Sequence, residues 1–210
     1  AGGNCSFNPE PLADIIDFFM PGDGEDVLIE VSEAIIAHKK SGGTKRQLLE
    51  RLASIDGIYV PSFYQPKYKE DGRIASYEKL YEGAPDQVVK RIVMDMDSVS
   101  YPMKPVVPFV EVVHDRSVIE LFRGCTRGCR FCQAGMICRP VRERSRKKVV
   151  EYAEQQLKNT GYDEMSLLSL STSDYSEIEP LVTDLMKSCK AREAGLSLPS
   201  LRLDSFSYDV

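Results

Sequence analysis

The chain has 210 residues, of which 42% are hydrophobic, and a formal net charge of -5 at neutral pH. This length and apolar content suffice for one domain or two small ones with a substantial core. The acidic balance argues against a protein that coats nucleic acid non-specifically, although it is compatible with a local basic patch. No apolar run approaches the roughly 18 residues needed to span a bilayer, and no signal peptide opens the chain. Free thiols in such a chain fit a reducing, cytoplasmic location.

The two ends of the chain suggest a piece of a longer protein. The sequence starts at Ala1 without an initiator methionine, and it stops at Val210 without a terminating pattern. We therefore expect some of the parent protein's machinery to lie outside this chain.

Residues 1–62 alternate between helical and short apolar segments, as expected for a partial α/β domain. The sequence predicts a short helix over 9–17, strands at 18–20 and 57–60, and a helix from Glu25 to about Lys40. Thr44 is placed to cap the next helix, whose inner face carries leucines.

Residues 63–115 are predicted to form a linker. Four tyrosines, at positions 64, 68, 77 and 81, are interleaved with lysine, glutamate and glycine. Aromatic residues among lysines can stack on bases, but acidic residues are equally frequent here, which favours a solvated connection between domains. The sequence also predicts a hairpin turn at 70–73 and a strand at 90–96.

Residues 116–210 read as strand, helix, strand, helix, strand, a series whose connections are almost always right-handed and parallel. The strands are predicted at 118–122, 165–170 and 196–203. The first helix runs from Arg146 to about Asn159 after a Ser145 cap. The second places Cys189 on its apolar face, which indicates a core residue rather than a ligand.

Three cysteines, Cys125, Cys129 and Cys132, follow the first of these strands. Three thiolates spaced so closely can hold one face of a metal centre and leave one position open for a small molecule. Gly124 and Gly128 support this interpretation, because a loop that bends its thiolates inward needs unusual backbone angles.

Other uses of these cysteines remain open. With Cys138 they could make a four-thiolate zinc site, but structural zinc sites usually pair one CxxC with a second, distant pair, which the sequence lacks. A disulfide scaffold fits less well, because six cysteines are few for 210 residues and three of them crowd into eight positions.

The CxxxCxxC spacing, with Phe131 just before the third cysteine, resembles the signature of the radical S-adenosylmethionine (SAM) enzymes. The wider stretches 123–135 and 139–145 resemble a subgroup with a cobalamin-binding-like domain ahead of the radical SAM barrel. The resemblance implies an α/β fold: the C-terminal half of a doubly wound cobalamin-binding-like domain at 1–62, and the first strands and helices of a partial (β/α)6 barrel at 116–210.

The resemblance also implies roles for individual residues. Cys125, Cys129 and Cys132 would ligate three irons of a 4Fe-4S cluster, and SAM would chelate the fourth. Phe131 would lie beside the adenine. The polar cluster 171–174 follows the second barrel strand, and its residues Ser171, Thr172 and Ser173 would contact the SAM amino group where family members commonly carry Gly-Gly-Glu. The alternative is a simple turn in which Asp174 or Ser176 caps the following helix.

An arginine-rich stretch follows the cysteine loop. Cations at a helix N-terminus oppose its dipole, by about 0.3 to 1 kcal/mol each when exposed. We hypothesise that Arg139, Arg142 or Arg144 meets an anionic group, either the SAM carboxylate or a substrate phosphate, and Arg142 is included among the candidate cofactor-binding residues. The alternative is a solvated charged loop.

The function that the resemblance implies is reductive cleavage of SAM to a 5′-deoxyadenosyl radical that acts on an unknown substrate. It also implies a reductant such as flavodoxin or ferredoxin as partner. The alternative is a non-catalytic iron-sulfur or zinc protein. Cobalamin stays a doubtful cofactor, because the glycines at 2–3 and 22–24 can serve backbone geometry alone. We expect the chain by itself to be inactive, since later barrel strands are missing.

Overall fold

The computed structural model describes residues 1–110 and 112–205, apart from the side chain of Cys5. The chain divides into two compact units, Ala1–Val93 and Met94–Val210. Each unit has its own cluster of buried apolar side chains. The end of the predicted barrel segment, 206–210, lies outside the described residues.

Two helices form the framework of the first unit. Helix α1 spans Glu25–Ser41, with acidic residues in its first turn and basic ones in its last, the arrangement that the helix dipole favours. Helix α2 spans Lys45–Ala53 and begins at Thr44, which forms a reciprocal capping box with Gln47. Both helices agree with the sequence prediction, because their apolar spacing and caps are local signals.

The apolar faces of these helices and the neighbouring segments make the first core. The core includes Val27, Leu52, Ile58 and Phe63, all at most 1% exposed. The predicted strands at 18–20 and 57–60 touch only at a single antiparallel bridge between Phe19 and Tyr59. Short apolar runs are thus used here for packing rather than for a sheet ladder.

Much of the segment predicted as a linker is folded with the first unit. Strands β1 (Tyr64–Tyr68) and β2 (Ile74–Lys79) pair in an antiparallel hairpin, and the units divide only at Val93. The hairpin turn at 70–73 is confirmed. The predicted strand at 90–96 is wrong: Arg91 alone bridges to Gly22, and its guanidinium pairs with Glu30 at 2.6 Å. The segment is thus held by the ion pair and by backbone hydrogen bonds of Arg91 with Pro21 and Asp23, and not by a longer ladder.

The second unit is built on a parallel sheet in the order β3-β6-β7. Strand β3 is Ser117–Glu120, β6 is Glu164–Leu168 and β7 is Gly195–Ser197. Helix α4 (Arg146–Thr160) connects β3 to β6, and α5 (Ile178–Lys190) connects β6 to β7. The predicted βαβαβ series and parallel pairing are confirmed, as is Ser145 as the cap of α4.

Two details of the second unit differ from the sequence prediction. The third strand stops at Ser197 instead of reaching residue 203, because Pro199 cannot donate to a ladder. Asp174 and Ser176 do not cap α5, whose N-cap residue, Glu177, makes no side-chain cap bond. Cys189 is 1% exposed within the core, as predicted.

A small antiparallel ladder follows the sheet. Strand β4 (Phe122–Arg123) pairs with β5 (Arg142–Glu143), and the short helix α3 (Ala134–Ile137) lies between them in sequence. Among the described residues, no helix is long and apolar enough to cross a membrane.

Candidate cluster and SAM site

The cysteine loop is closed at its base by the β4-β5 ladder. Phe122 pairs with Glu143 and Arg123 with Arg142, so the chain leaves and re-enters the same point of the unit. The loop therefore projects just beyond the carboxyl end of β3. That is the edge at which strand-and-helix barrels carry their chemistry.

Two glycines shape the loop as the sequence predicted. Gly124 has a φ of +93°, and a Cβ there would meet the Pro140 carbonyl oxygen at 2.5 Å. Gly128 has a φ of +68° between the first two cysteines. Both turns use left-handed backbone that other residues rarely adopt.

The three cysteines are half-buried free thiols. The Cys125 carbonyl accepts a hydrogen bond from Arg139 Nε at 3.4 Å, and the Cys132 amide donates to the Cys129 carbonyl at 3.0 Å. Cys129 Sγ lies 3.7 Å from a guanidinium nitrogen of Arg202. Two arginines, Arg139 and Arg202, thus contact the loop at its first and second cysteines.

The donor set fits an iron-sulfur cluster, but its arrangement is not that of a preformed metal site. Three thiols lie within eight consecutive residues, and none is used in a disulfide. Among the residues that the structure describes, no three His, Cys, Asp or Glu side chains are placed to hold a metal ion. Metal binding commonly supplies the free energy that organises its ligands. The assignment of Cys125, Cys129 and Cys132 as ligands stays a prediction.

The other predicted site residues lie on two segments of this unit. Phe131 projects from the loop with 93% of its surface exposed. Ser171 and Thr172 are buried after β6, and Ser173 Oγ shares a hydrogen bond of 2.7 Å with Ser205. Their roles toward SAM also stay predictions.

An ion pair that sequence reasoning missed joins the loop to this polar turn. Arg127 donates two hydrogen bonds to the Asp174 carboxylate, and these bonds hold the pKa of that carboxyl below its ordinary value. The turn after β6 is thereby tied to the cysteine loop after β4. The only signal in the sequence was an aspartate at the end of the polar cluster, for which a helix cap was the alternative interpretation.

A cavity of about 640 Å³ opens beside this ion pair. Its lining comes from both the loop and the turn: Thr126, Arg127, Ser173, Asp174 and Ser205. The lining is polar and carries both charges, so it suits a zwitterionic ligand better than an apolar one.

The arginines after the loop are placed in different ways. Arg144 is fully buried; it donates to the Met96 and Glu120 carbonyls and lies 5.2 Å from the ring centroids of Tyr101 and Tyr152. This position gives Arg144 a packing role. Arg142 is 5% exposed and donates to the Pro140 and Cys138 carbonyls, at 3.0 and 3.2 Å. Its contact with SAM stays a prediction.

Comparisons with known proteins agree with this architecture. A family model described as "Radical SAM proteins, N-terminal" matches residues 1–61, and the model of the radical SAM superfamily matches residues 119–208. The second match contains the cysteine loop, the parallel sheet and the turn after β6.

Two individual proteins are similar over nearly the whole chain. An uncharacterized protein of Methanocaldococcus jannaschii is 26% identical over 214 residues, a match that covers 100% of this chain and 39% of the relative. The radical SAM methyltransferase TsrM of Kitasatospora setae, solved with cobalamin and a 4Fe-4S cluster bound, aligns with a TM-score of 0.52 at 17% identity. That alignment covers 98% of this chain and 38% of TsrM.

The chain therefore spans about two fifths of the length of either protein. The likeness to TsrM concerns the fold, a mixed α/β architecture with a partial parallel sheet. Both family matches are to models of radical SAM proteins, so the chain matches the radical SAM superfamily over residues 1–61 and 119–208.

Proposed function

We propose that this chain carries the cluster loop and part of the SAM pocket of a radical SAM enzyme. The match to the superfamily implies a 4Fe-4S cluster and chemistry that begins with SAM. In the proposal Cys125, Cys129 and Cys132 ligate three irons, and SAM occupies the fourth. The bound cluster would supply the electron that cleaves SAM to methionine and a 5′-deoxyadenosyl radical.

One observation carries the proposal: the cysteine loop and the polar turn after β6 are joined by the Arg127–Asp174 ion pair beside a polar cavity. Loops that follow neighbouring parallel strands meet at one edge of the sheet, here β3 and β6. A ligand in that cavity would contact both segments, because Thr126 and Arg127 come from the cysteine loop and Ser173 and Asp174 from the turn.

The chain's own residues would bind and orient SAM. The Ser173 hydroxyl can accept a hydrogen bond from the SAM amino group, with Ser171 and Thr172 holding the turn behind it. The exposed Phe131 ring provides a face for the adenine. Arg142 would act on the SAM carboxylate only after a change in its present carbonyl bonds.

The wider activity is a proposal for the parent protein. It would need a reductant of the flavodoxin or ferredoxin class, and its substrate is not assigned. TsrM holds cobalamin, but the likeness of fold does not extend that cofactor to residues 1–62, so it stays doubtful here. The domain assignment, with a cobalamin-binding-like segment at 1–62 and a barrel from 116, is part of the same proposal.

Anaerobic reconstitution of single cysteine variants tests the ligand set. We expect wild-type protein to bind about four irons, and Cys125→Ala, Cys129→Ala and Cys132→Ala each to lose the 4Fe-4S absorbance. Cys138→Ala is the matched control, because Cys138 is also a half-buried cysteine of the same segment. Loss of metal in Cys138→Ala together with zinc in the purified protein would instead support a four-thiolate site.

The activity of the chain by itself is a separate test. We expect no 5′-deoxyadenosine from reduced, SAM-loaded protein of this length, since the chain spans only about two fifths of the length of the proteins it matches. The full-length parent should release it under the same conditions. Measurable release by the 210-residue chain would contradict the expectation.

A further inference from the structure

A cavity of about 400 Å³ lies within the first unit and contains none of the three cysteines. Its volume falls in the range of about 300 to 1,000 Å³ typical of small-molecule sites. Four aromatic rings and two charged groups of the lining matter here: Phe7, Glu10, Tyr59, Tyr64, Tyr77 and Lys90. They come from separate segments of the unit, so the fold, and not one local motif, assembles the cavity.

The hairpin places two of these rings on one face. Pro66 pairs directly with Tyr77 across β1 and β2, and Tyr64 stands two residues before Pro66. Since residues two apart in a strand share a face, Tyr64 and Tyr77 project to the same side. Tyr77 is 47% exposed at the cavity, so part of its ring is accessible to a ligand.

Hydrogen bonds within the protein hold Tyr59 and Tyr64 in place. The Tyr59 hydroxyl donates to Glu10 Oε1 at 2.5 Å, and the Tyr64 hydroxyl donates to the Pro85 carbonyl at 2.7 Å. The two rings stack at 5.1 Å between centroids. Burial, and then the Glu10 carboxylate, raise the pKa of Tyr59, so its hydroxyl stays a neutral donor. Protein contacts therefore hold two of the three tyrosine rings in place before any ligand enters.

Opposite charges border the rings. The Glu10 carboxylate retains acceptor capacity beyond the bond from Tyr59, because a carboxylate accepts up to about four hydrogen bonds. The Lys90 ammonium lies 5.9 Å from the Phe7 ring centroid. Asp86, also at this cavity, is paired with Lys79 at 2.7 Å. The carboxylates of Glu10 and Asp86 would repel an anionic ligand, and the ammonium of Lys90 would repel a permanent cation.

We propose that this cavity binds a planar nitrogen heterocycle of the nucleobase class, stacked on the tyrosine rings with its amino edge toward Glu10. A nucleobase presents a flat aromatic face together with both hydrogen-bond donors and acceptors at its edge. It therefore matches a cavity whose walls are aromatic and whose polar groups include the Glu10 carboxylate and the Lys90 ammonium, with the Asp86 carboxylate already paired to Lys79. This site is separate from the cysteine loop and goes beyond the proposed function.

Saturation-transfer NMR and calorimetry on the 210-residue chain, with adenosine, guanosine, cytidine and uridine, test the proposal. We expect at least one nucleoside to bind through its base protons, while ribose and inorganic phosphate do not bind. Tyr77→Ala should weaken that binding about tenfold, because stacking on one aromatic side chain is worth about that much per base. Tyr77→Phe keeps the ring and should bind as the wild type does.

Tyr68→Ala is the matched control, since Tyr68 is an exposed tyrosine of the same hairpin that does not line the cavity. Its affinity should be unchanged. The proposal is overturned if no nucleoside gives saturation transfer at millimolar concentration, or if Tyr68→Ala or Tyr77→Phe loses as much affinity as Tyr77→Ala. Thermal unfolding of each variant verifies that the unit is intact.

Discussion

The parallel sheet and the cysteine loop of the second unit are held in different ways. Ile119, Met165 and Leu167 in the sheet are all 0% exposed, whereas Phe131 in the loop is 93% exposed and the three cysteines are half-buried. Burial and the parallel ladder together determine where the sheet residues lie. The loop is held by its base ladder, two glycine turns and a few polar contacts, so its thiols retain freedom to respond to what they bind.

The largest expected effect on stability comes from a substitution in the buried sheet. Leu167→Ala should lower the free energy of unfolding by about 2 to 5 kcal/mol, because it leaves a cavity among fully buried neighbours. Its neighbour in the same strand, Leu168, is 51% exposed, so Leu168→Ala should change stability by about 0.5 kcal/mol or less. Urea unfolding measures both, and equal effects would contradict the placement of β6.

Arg144, where the sheet meets the loop, should have the next largest effect on stability. Arg144→Ala should cost at least about 2 kcal/mol, because two buried carbonyls lose a charged donor. Arg144→Lys should recover only part of this, since lysine lacks the planar guanidinium. Arg146→Ala, which removes only exposed ion pairs at 3.5 and 3.6 Å, is the control and should cost about 1 kcal/mol or less. A reversed order of the two alanine variants would refute the packing role.

The Arg127–Asp174 pair, which joins loop and turn, should give the smallest effect. A double-mutant cycle with Arg127→Ala and Asp174→Asn should show a coupling of about 1 kcal/mol or less at pH 7, because both groups are partly exposed. The pKa of Asp174 is lowered in the folded state, so this coupling persists above the pKa of the unfolded carboxyl. It should fall as the pH drops through the lower, folded value. A coupling that grows on acidification would contradict the ion pair.

The sequence predicted the parts of the fold that local signals determine. Helices α1, α2 and α4 begin and end close to the predicted residues because their caps and apolar spacing lie within each segment. The strand predictions at 90–96 and at the end of 196–203 are wrong because another feature outweighs the local apolar run. That feature is the Arg91–Glu30 pair in the first segment and Pro199 in the second.

The candidate site could be predicted only through its cysteine spacing. The spacing located the loop and its glycine turns, and the chain order located the polar turn after β6. The Arg127–Asp174 pair joins residues 47 positions apart, and such pairing leaves no periodic trace in one sequence. The aromatic cavity of the first unit was missed for the same reason. Tyr64 and Tyr77 fell in the predicted linker and Tyr59 in a predicted strand, and only the hairpin and Glu10 bring them together.

The most direct measurement is the EPR spectrum of the reduced, anaerobically reconstituted full-length parent protein before and after addition of SAM. Three cysteine ligands and one open iron predict a 4Fe-4S signal whose g-values change when SAM binds, and they predict that Cys138→Ala behaves in the same way. A reduced cluster whose signal is unaltered by saturating SAM would contradict an open iron. It would instead indicate a cluster that only transfers electrons or supports structure.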